Sequence, residues 1–280
     1  MKYLFAFVTI LALATMACGF TVNIPSVPTA GPEVTDEITV AVPEPDKVRL
    51  KISFGAGELR VSPGAGDDML VEGTATYDIP NFKPEVEKSD GYVQIKQGQF
   101  KSLNVKDFKN EWDLQLGETP MELEINAGAY QGRYELGGLA LTGLTIKDGA
   151  ADTRVSFSAP NQTEMSVLRY ETGASNVELT DLANANFSTL IFNGGAGDFT
   201  LDFNGELQRD ATVTIDSGFS DLTLVIPDDV DARVTVEGAA VNVNHSSGWG
   251  QRNKTYTQDG SGPTLRVIVS MGAGNVTITD

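Results

Sequence analysis

One short template recurs along most of the chain and limits what the chain can fold into. Two apolar residues separated by one position precede a glycine by five and three positions, and two further apolar positions follow that glycine at four and six. One copy reads Leu144, Ile146, Gly149, Thr153 and Val155. The glycines of the template are Gly55, Gly128, Gly149, Gly173, Gly195, Gly218 and Gly272. From Gly128 to Gly218 they are 21–24 residues apart, a period typical of supersecondary units that stack on copies of themselves.

Each copy has the pattern of a strand, a corner and a second strand. Alternation of period two on both sides of the glycine places the apolar residues on one face, and a glycine at the corner allows a positive φ. Because one copy cannot bury its own apolar face, we predict an all-β fold, a stacked-strand, parallel β-helix-like β-solenoid. Its interior columns are predicted to be Leu144, Leu168, Leu190 and Val213, and Ile146, Tyr170, Phe192 and Ile215.

The composition excludes some partners. The chain has 280 residues, 29 of them glycine, and a formal net charge of −18. A strongly acidic surface favours solubility and repels phosphate backbones, so we expect no nucleic-acid partner.

The N-terminus has the pattern of a secretory leader. Met1 and Lys2 precede an apolar run too short to span a bilayer comfortably, and Cys18, the one cysteine of the chain, follows at its end. The segment resembles a bacterial lipoprotein signal (residues 1–17), which implies lipidation of Cys18 and anchoring to the cell membrane. Thr15 departs from the preferred motif, and ordinary cleavage after Ala14 is the alternative. Residues 18–45 are rich in proline and are predicted to be a tether; a first strand at Thr39–Val42 is the alternative for its last part, although prolines flank it.

After the tether, residues 46–120 begin with one template copy and continue as irregularly spaced strands, predicted at 69–77, 85–87, 92–96 and 112–116. The motifs of this block are Lys51 to Leu59, Glu72-Gly73-Thr74, Tyr77 with Pro80 to Pro84, and Asn110 to Leu114. They resemble the toast-rack N-terminal domain of bacterial envelope proteins. The Gly-Ala-Gly repeats of residues 121–280 resemble LiaF-like antibiotic-response proteins and related adhesin-like proteins. The resemblance implies an envelope protein without established catalytic residues.

The last part of the chain leaves the template at 244–263. This insert contains His245, Trp249, Arg252 and Tyr256. Insertions in solenoids emerge as loops and often bind, so these four residues are the candidate binding residues. The alternative, which we favour, is a cap in which Trp249 covers the open end of the solenoid, since solenoids need caps.

The sequence gives little support for catalysis or for metal binding. A nucleophile needs a nearby base, but the chain has one histidine, and it lacks the Cys/His clusters of a zinc site. A calcium site at Gly194 to Asp198 and carboxylate pairs for polysaccharide cleavage are weak alternatives.

We therefore expect no enzyme, cofactor or metal, and predict a lipid-anchored structural or adhesin-like module with an envelope glycan or protein as partner. A ligand-binding or envelope-stress accessory lipoprotein that uses the insert is the second hypothesis.

Overall fold

Strands make up almost all regular structure of the protein. The computed structural model describes residues 30–44, 47–98 and 107–280. The strands are β1 (Val34–Ala41), β2 (Val48–Pro63), β3 (Met69–Tyr77), β4 (Pro84–Ser89), β5 (Tyr92–Gln97), β6 (Asn110–Leu116), β7 (Met121–Glu135), β8 (Leu141–Ser156), β9 (Met165–Thr180), β10 (Phe187–Asp202), β11 (Ala211–Val225), β12 (Asp231–His245), β13 (Gly250–Arg252), β14 (Thr255–Gln258) and β15 (Thr264–Thr279). The same residues contain short 3₁₀ turns at Pro80–Phe82 and Leu182–Ala185 and no α-helix. The predicted all-β class is confirmed.

The long strands form a parallel stack in which every strand turns back at its middle. They lie in the order β2, β7, β8, β9, β10, β11, β15, β12. A straight strand of the 15 residues of β7 would extend about 50 Å. Residues 136–140, which return the chain to the start of β8, reach no more than about 20 Å. Each strand must therefore bend at its glycine, and we call its two halves the first arm and the second arm.

The predicted interior columns are present. Leu144, Leu168, Leu190 and Val213 are successive partners across four neighbouring strands, and so are Ile146, Tyr170, Phe192 and Ile215. All eight side chains are fully buried and belong to one core. The prediction of a stacked-strand solenoid is confirmed.

The corner glycines are required for a different reason than we predicted. None of Gly55, Gly149, Gly173, Gly195, Gly218 and Gly272 has a positive φ, so that part of the prediction is wrong. A Cβ on Gly195 would instead lie 2.4 Å from the carbonyl oxygen of Gly173. The same contact, at 2.3–2.9 Å, joins each of Gly128, Gly149, Gly173, Gly195, Gly218 and Gly272 to the glycine of the adjacent strand. Backbones approach too closely at the corner for any side chain.

The stack departs from chain order at its C-terminal end. β15, the last strand, lies between β11 and β12 and pairs in parallel with both. Its inward residues are apolar in both arms, for example Val267, Val269 and Val276, and all three are fully buried. β12 has only Val241 and Val243 in its second arm, and both are half-buried. The more apolar strand therefore occupies the position that is covered on both sides.

The N-terminal strands cover the other end of the stack. β5 pairs with the first arm of β2, and β6 pairs with its second arm. β4 pairs with β5, β3 with β6 and β1 with β3, all antiparallel. The strands predicted at 69–77, 85–87, 92–96 and 112–116 fall within β3, β4, β5 and β6. On its other side β2 pairs with β7, so one sheet runs across the predicted boundary at residue 120.

The predicted tether of residues 18–45 extends too far. Val34–Ala41 forms β1, in which Ile38 and Val40 are buried. Pro32 and Pro43 lie outside the strand, where they remove no hydrogen bond from the sheet. The leader and Cys18 lie outside the described residues.

Candidate functional site

The insert at 244–263 folds into a hairpin at the end of the stack. β14 pairs antiparallel with the first arm of β12, and β13 pairs with β14. Trp249 and Tyr256 are 6% and 5% exposed and belong to the core, whereas Arg252 and His245 are exposed. The structure thus places the two aromatic rings inside the protein and the two basic residues outside.

Several hydrogen bonds fasten this hairpin to the stack. The Gln258 side chain donates to the carbonyl oxygens of Pro227 and Val230 at 2.7 and 3.1 Å, and the Val236 backbone N–H donates to the Lys254 carbonyl at 2.9 Å. The His245 ring lies 5.4 Å from the Tyr256 ring, centroid to centroid. The hairpin is therefore part of the fold rather than a projecting loop.

The outer face of the first arm carries an arginine cluster that the sequence analysis did not single out. Arg233 of β12 and Arg266 of β15 are direct partners in the parallel ladder, so their backbones lie about 4.8 Å apart. Arg252 belongs to the same face, since its partner Thr255 is itself the partner of Thr235, two residues after Arg233. All three arginines are exposed. We call Arg233, Arg252 and Arg266 the arginine face.

The three guanidinium groups have no partner among the described residues. None forms an ion pair or a side-chain hydrogen bond there, and the nearest carboxylates on β12, those of Asp231 and Glu237, pair with none of them. The other arginines of the chain form ion pairs: Arg49, Arg60, Arg133, Arg154, Arg169 and Arg209. Like charges opposite each other in a sheet are unfavourable, so an unpaired arginine pair needs a reason outside sheet stability.

A weak signal for this face exists in the sequence. Arg233-Val234-Thr235-Val236 and Arg266-Val267-Ile268-Val269 each place an arginine directly before an apolar-x-apolar pair, and the second pair opens the template copy of Gly272. In a stack held in register, residues at equivalent template positions become neighbours. The two arginines were therefore predictable as a pair, but Arg252 required knowledge of the hairpin.

A shallow groove of about 990 Å³ crosses the corners on the outside of the stack. Its carboxylates include Glu171, Asp216 and Glu237. Asp216 and Glu237 flank β15, so their backbones are about 10 Å apart, a spacing compatible with glycoside hydrolysis. Both residues are exposed, however, whereas a general acid needs surroundings that keep its carboxyl protonated. Glu171 lies 3.4 Å from the Lys147 ammonium group. The groove therefore gives little support to a hydrolase.

A half-buried carboxylate, that of Asp148, lines this groove. Asp148 accepts hydrogen bonds from the hydroxyls of Tyr130, at 2.6 Å, and Tyr170, and Tyr134 donates to the Tyr130 hydroxyl at 2.9 Å. Burial raises the pKa of the Asp148 carboxyl, although the tyrosine hydrogen bonds oppose the shift. Burial also raises the pKa of all three tyrosine hydroxyls. The cluster joins β7, β8 and β9 through side-chain hydrogen bonds at the edge of the core, which favours a structural role.

Replacing Tyr170 by phenylalanine should destabilise the fold in a pH-dependent way. At pH 7 the half-buried Asp148 carboxylate loses a donor, at a cost of about 1.5–3 kcal/mol. The Tyr170 hydrogen bond favours the charged carboxylate and opposes the raised pKa of Asp148. Without this bond the folded-state pKa rises further, so the added destabilisation is small at low pH, where the carboxyl is protonated, and grows as the pH rises through the folded pKa. The variant should therefore differ from wild type more at pH 7 than at pH 4. Urea unfolding at both pH values measures this, and an equal difference at both would contradict it.

Two further properties of the described residues bear on the predicted function. No group of three or more His, Cys, Asp or Glu side chains there could hold a metal ion. None of the helices in the same ranges is long and apolar enough to cross a membrane.

Comparison with known proteins places the chain in a family. Similar solved structures include a candidate cell adhesion protein from Clostridium sporogenes (19% identity, 89% of this chain and 99% of that chain, TM-score 0.49). A candidate adhesin from Parabacteroides merdae (14%, 91% and 99%, 0.39) and a candidate lipid binding protein from Parabacteroides distasonis (11%, 89% and 98%, 0.40) are also similar. None of the curated proteins matches the chain. The family described as the N-terminal domain of toast_rack, DUF2154, matches residues 29–179 and 161–225. Because these matches span well over half of the sequence, the chain belongs to the toast-rack N-terminal domain family.

Proposed function

We propose that this protein is a non-catalytic, adhesin-like binding module of the bacterial cell envelope that contacts an acidic ligand through its arginine face. The observation that carries the proposal is the set of unpaired guanidinium groups of Arg233, Arg252 and Arg266. Acidic envelope glycans and acidic protein segments are the ligand classes that fit.

The electrostatics of the molecule favour this particular surface. With a net charge of −18, most of the protein repels anions, so an acidic ligand is directed to the place where positive charge is concentrated. Guanidinium groups bind carboxylates and phosphates with two parallel hydrogen bonds. Thr212 and Thr257, in the same row across the strands as Arg233 and Arg266, add hydroxyl groups. A flat row of this kind suits an extended polymer.

The proposal includes the lipid anchor predicted at Cys18. Two acyl chains give stable membrane attachment, and the proline-rich residues that follow Cys18 act as a spacer before β1. The arginine face lies at the opposite end of the stack from β1. Such an arrangement would present the ligand-binding end away from the membrane.

The arginine face is tested by removing its charges. Arg233→Ser with Arg266→Ser should weaken binding to polygalacturonate at least about tenfold, because two charge-assisted contacts are lost. Wild-type binding should weaken with added salt, and neutral dextran should not bind. Arg154→Ser is the matched control, since Arg154 is exposed and paired with Glu178 at 3.1 Å. Equal loss in the control, or no binding of any polyanion by wild type, would refute the proposed surface.

The anchor has a separate test. Cys18→Ser should move the protein from the membrane fraction to the medium or periplasm, because no acyl chain can be attached. Metabolic labelling with a palmitate analogue should mark the wild type and not the variant. A wild type that takes up no label would leave only secretion.

A further inference from the structure

The C-terminal end of the stack has an unpaired strand edge. β14 pairs with β12 only from Ala232 to Thr235. One further backbone hydrogen bond, from the Val236 N–H to the Lys254 carbonyl, joins β12 to the hairpin. From Gly238 to His245, β12 pairs with β15 on one side and with no described residue on the other. The outward backbone N–H and C=O groups of this edge are therefore available to another strand. We call residues 238–245 the open edge.

The interior columns also end uncovered here. Val243 continues the column that includes the buried Leu222 and Val276, but it is only half-buried itself. His245 occupies the position that Leu224 and Ile278 fill in the adjacent strands, and it is exposed. In the first arm, β14 of the hairpin covers the strand edge, with the buried Tyr256 as the partner of Val234. The second arm is covered less: its His245 ring lies 5.4 Å from the Tyr256 ring of the hairpin, while Val241 and Val243 stay half-buried.

The open edge lacks the features that usually prevent strand pairing. Natural edge strands carry charges or prolines, or are covered. β1 contains Asp36 and Glu37, and β4 contains Pro84, Glu85, Glu87 and Lys88. The open edge reads Gly-Ala-Ala-Val-Asn-Val-Asn-His and has no formal charge at pH 7, although the whole chain carries −18. Two copies of so acidic a protein repel each other over most of their surfaces. The uncharged strip is therefore the place where a second copy can approach, strip against strip.

We infer that the open edge pairs with the open edge of a second copy, antiparallel and about a two-fold axis near Asn242. With Asn242 opposite its own copy, Val241 lies opposite Val243 of the other molecule, and all four valines remain on the inner face. The amide ladder of Asp221, Asn275 and Asn242 supports this pairing: Asn275 donates to Asp221 at 2.6 Å, and Asn242 donates to Asn275 at 3.3 Å. A second Asn242 extends the ladder, since stacked asparagines bond to one another.

The pairing is tested by sedimentation velocity of the full chain carrying Cys18→Ser, which excludes a disulfide or a lipid as the cause of association. We expect a dimer whose population rises between micromolar and submillimolar concentrations. Asn242→Lys places two ammonium groups opposite each other and should raise the dimer Kd at least about a hundredfold. Asn275→Lys is the control. It makes the same change one strand further in and breaks the same contact between Asn242 and Asn275, but it should leave the dimer Kd within about threefold of wild type.

Three outcomes would overturn the inference: a wild type that stays monomeric throughout, equal weakening by Asn275→Lys, or a mass above that of a dimer. If Asn242→Lys fails to fold, Ala240→Lys repeats the test at another exposed position of the edge. No ligand is present in this experiment and no arginine is changed, so its result is independent of the proposed binding function.

Discussion

Gly195→Ala is expected to destabilise the protein by about 3 kcal/mol or more, although it adds one methyl group. The new Cβ would lie 2.4 Å from the carbonyl oxygen of Gly173. Overpacking usually costs about 1–3 kcal/mol when side chains can move aside. Here the obstacle is backbone that is held on both sides by parallel strands, so the cost lies at or above that range. Urea unfolding at pH 7 measures it.

Two other glycines make this test specific. Gly197 should be at least as sensitive, since its φ is +144° and an added Cβ would lie 1.8 Å from the Ser175 carbonyl oxygen. Gly248 is the control, because its Cβ would meet nothing closer than a side-chain oxygen of Asp228 at 3.9 Å. Gly248→Ala should change the free energy of unfolding by no more than about 0.5 kcal/mol. Comparable effects at Gly195 and Gly248 would show that the corner column does not limit the fold.

The glycine column illustrates what the sequence could and could not reveal. Period and alternation sufficed to predict which residues share a column, because a solenoid in register converts equivalent positions into neighbours. The reason for glycine could not be read in the same way. A positive φ and a close backbone approach both favour glycine, and only coordinates distinguish the two.

Contacts that depend on strand order were also beyond the sequence. The template copies indicate that strands stack, but not that β15 lies between β11 and β12. Without that order, the open edge of β12 could not be recognised. The prolines at 32 and 43 suggested a tether, whereas the alternation of Ile38 and Val40 decided in favour of a strand.

The sequence also did not show which side chains of the insert at 244–263 are exposed. Aromatic and basic residues occur together there, which is the composition of a binding loop and also of an amphipathic cap. The hairpin separates them, with Trp249 and Tyr256 inward and Arg252 outward. Of the candidate binding residues, the proposed function therefore retains Arg252 and adds Arg233 and Arg266.

Trp249→Ala is expected to lower the free energy of unfolding by about 3–5 kcal/mol. The side chain is 6% exposed and belongs to the core, so its removal leaves a cavity in the core at the hairpin end of the stack. The melting temperature should fall by roughly ten degrees for a domain of this size. Differential scanning calorimetry of the Cys18→Ser chain, with and without the substitution, gives both quantities.

Two substitutions nearby separate a cap from a binding loop. Trp249→Phe should cost clearly less than Trp249→Ala, because a phenyl ring keeps most of the packing and the indole N–H, which has no partner among the described residues, is removed. Arg252→Ala should leave stability within about 0.5 kcal/mol and weaken polyanion binding. A Trp249→Ala protein that melts like wild type would refute the cap. A Trp249→Phe protein as unstable as Trp249→Ala would mean that the indole itself, rather than its apolar volume, holds the hairpin to the stack.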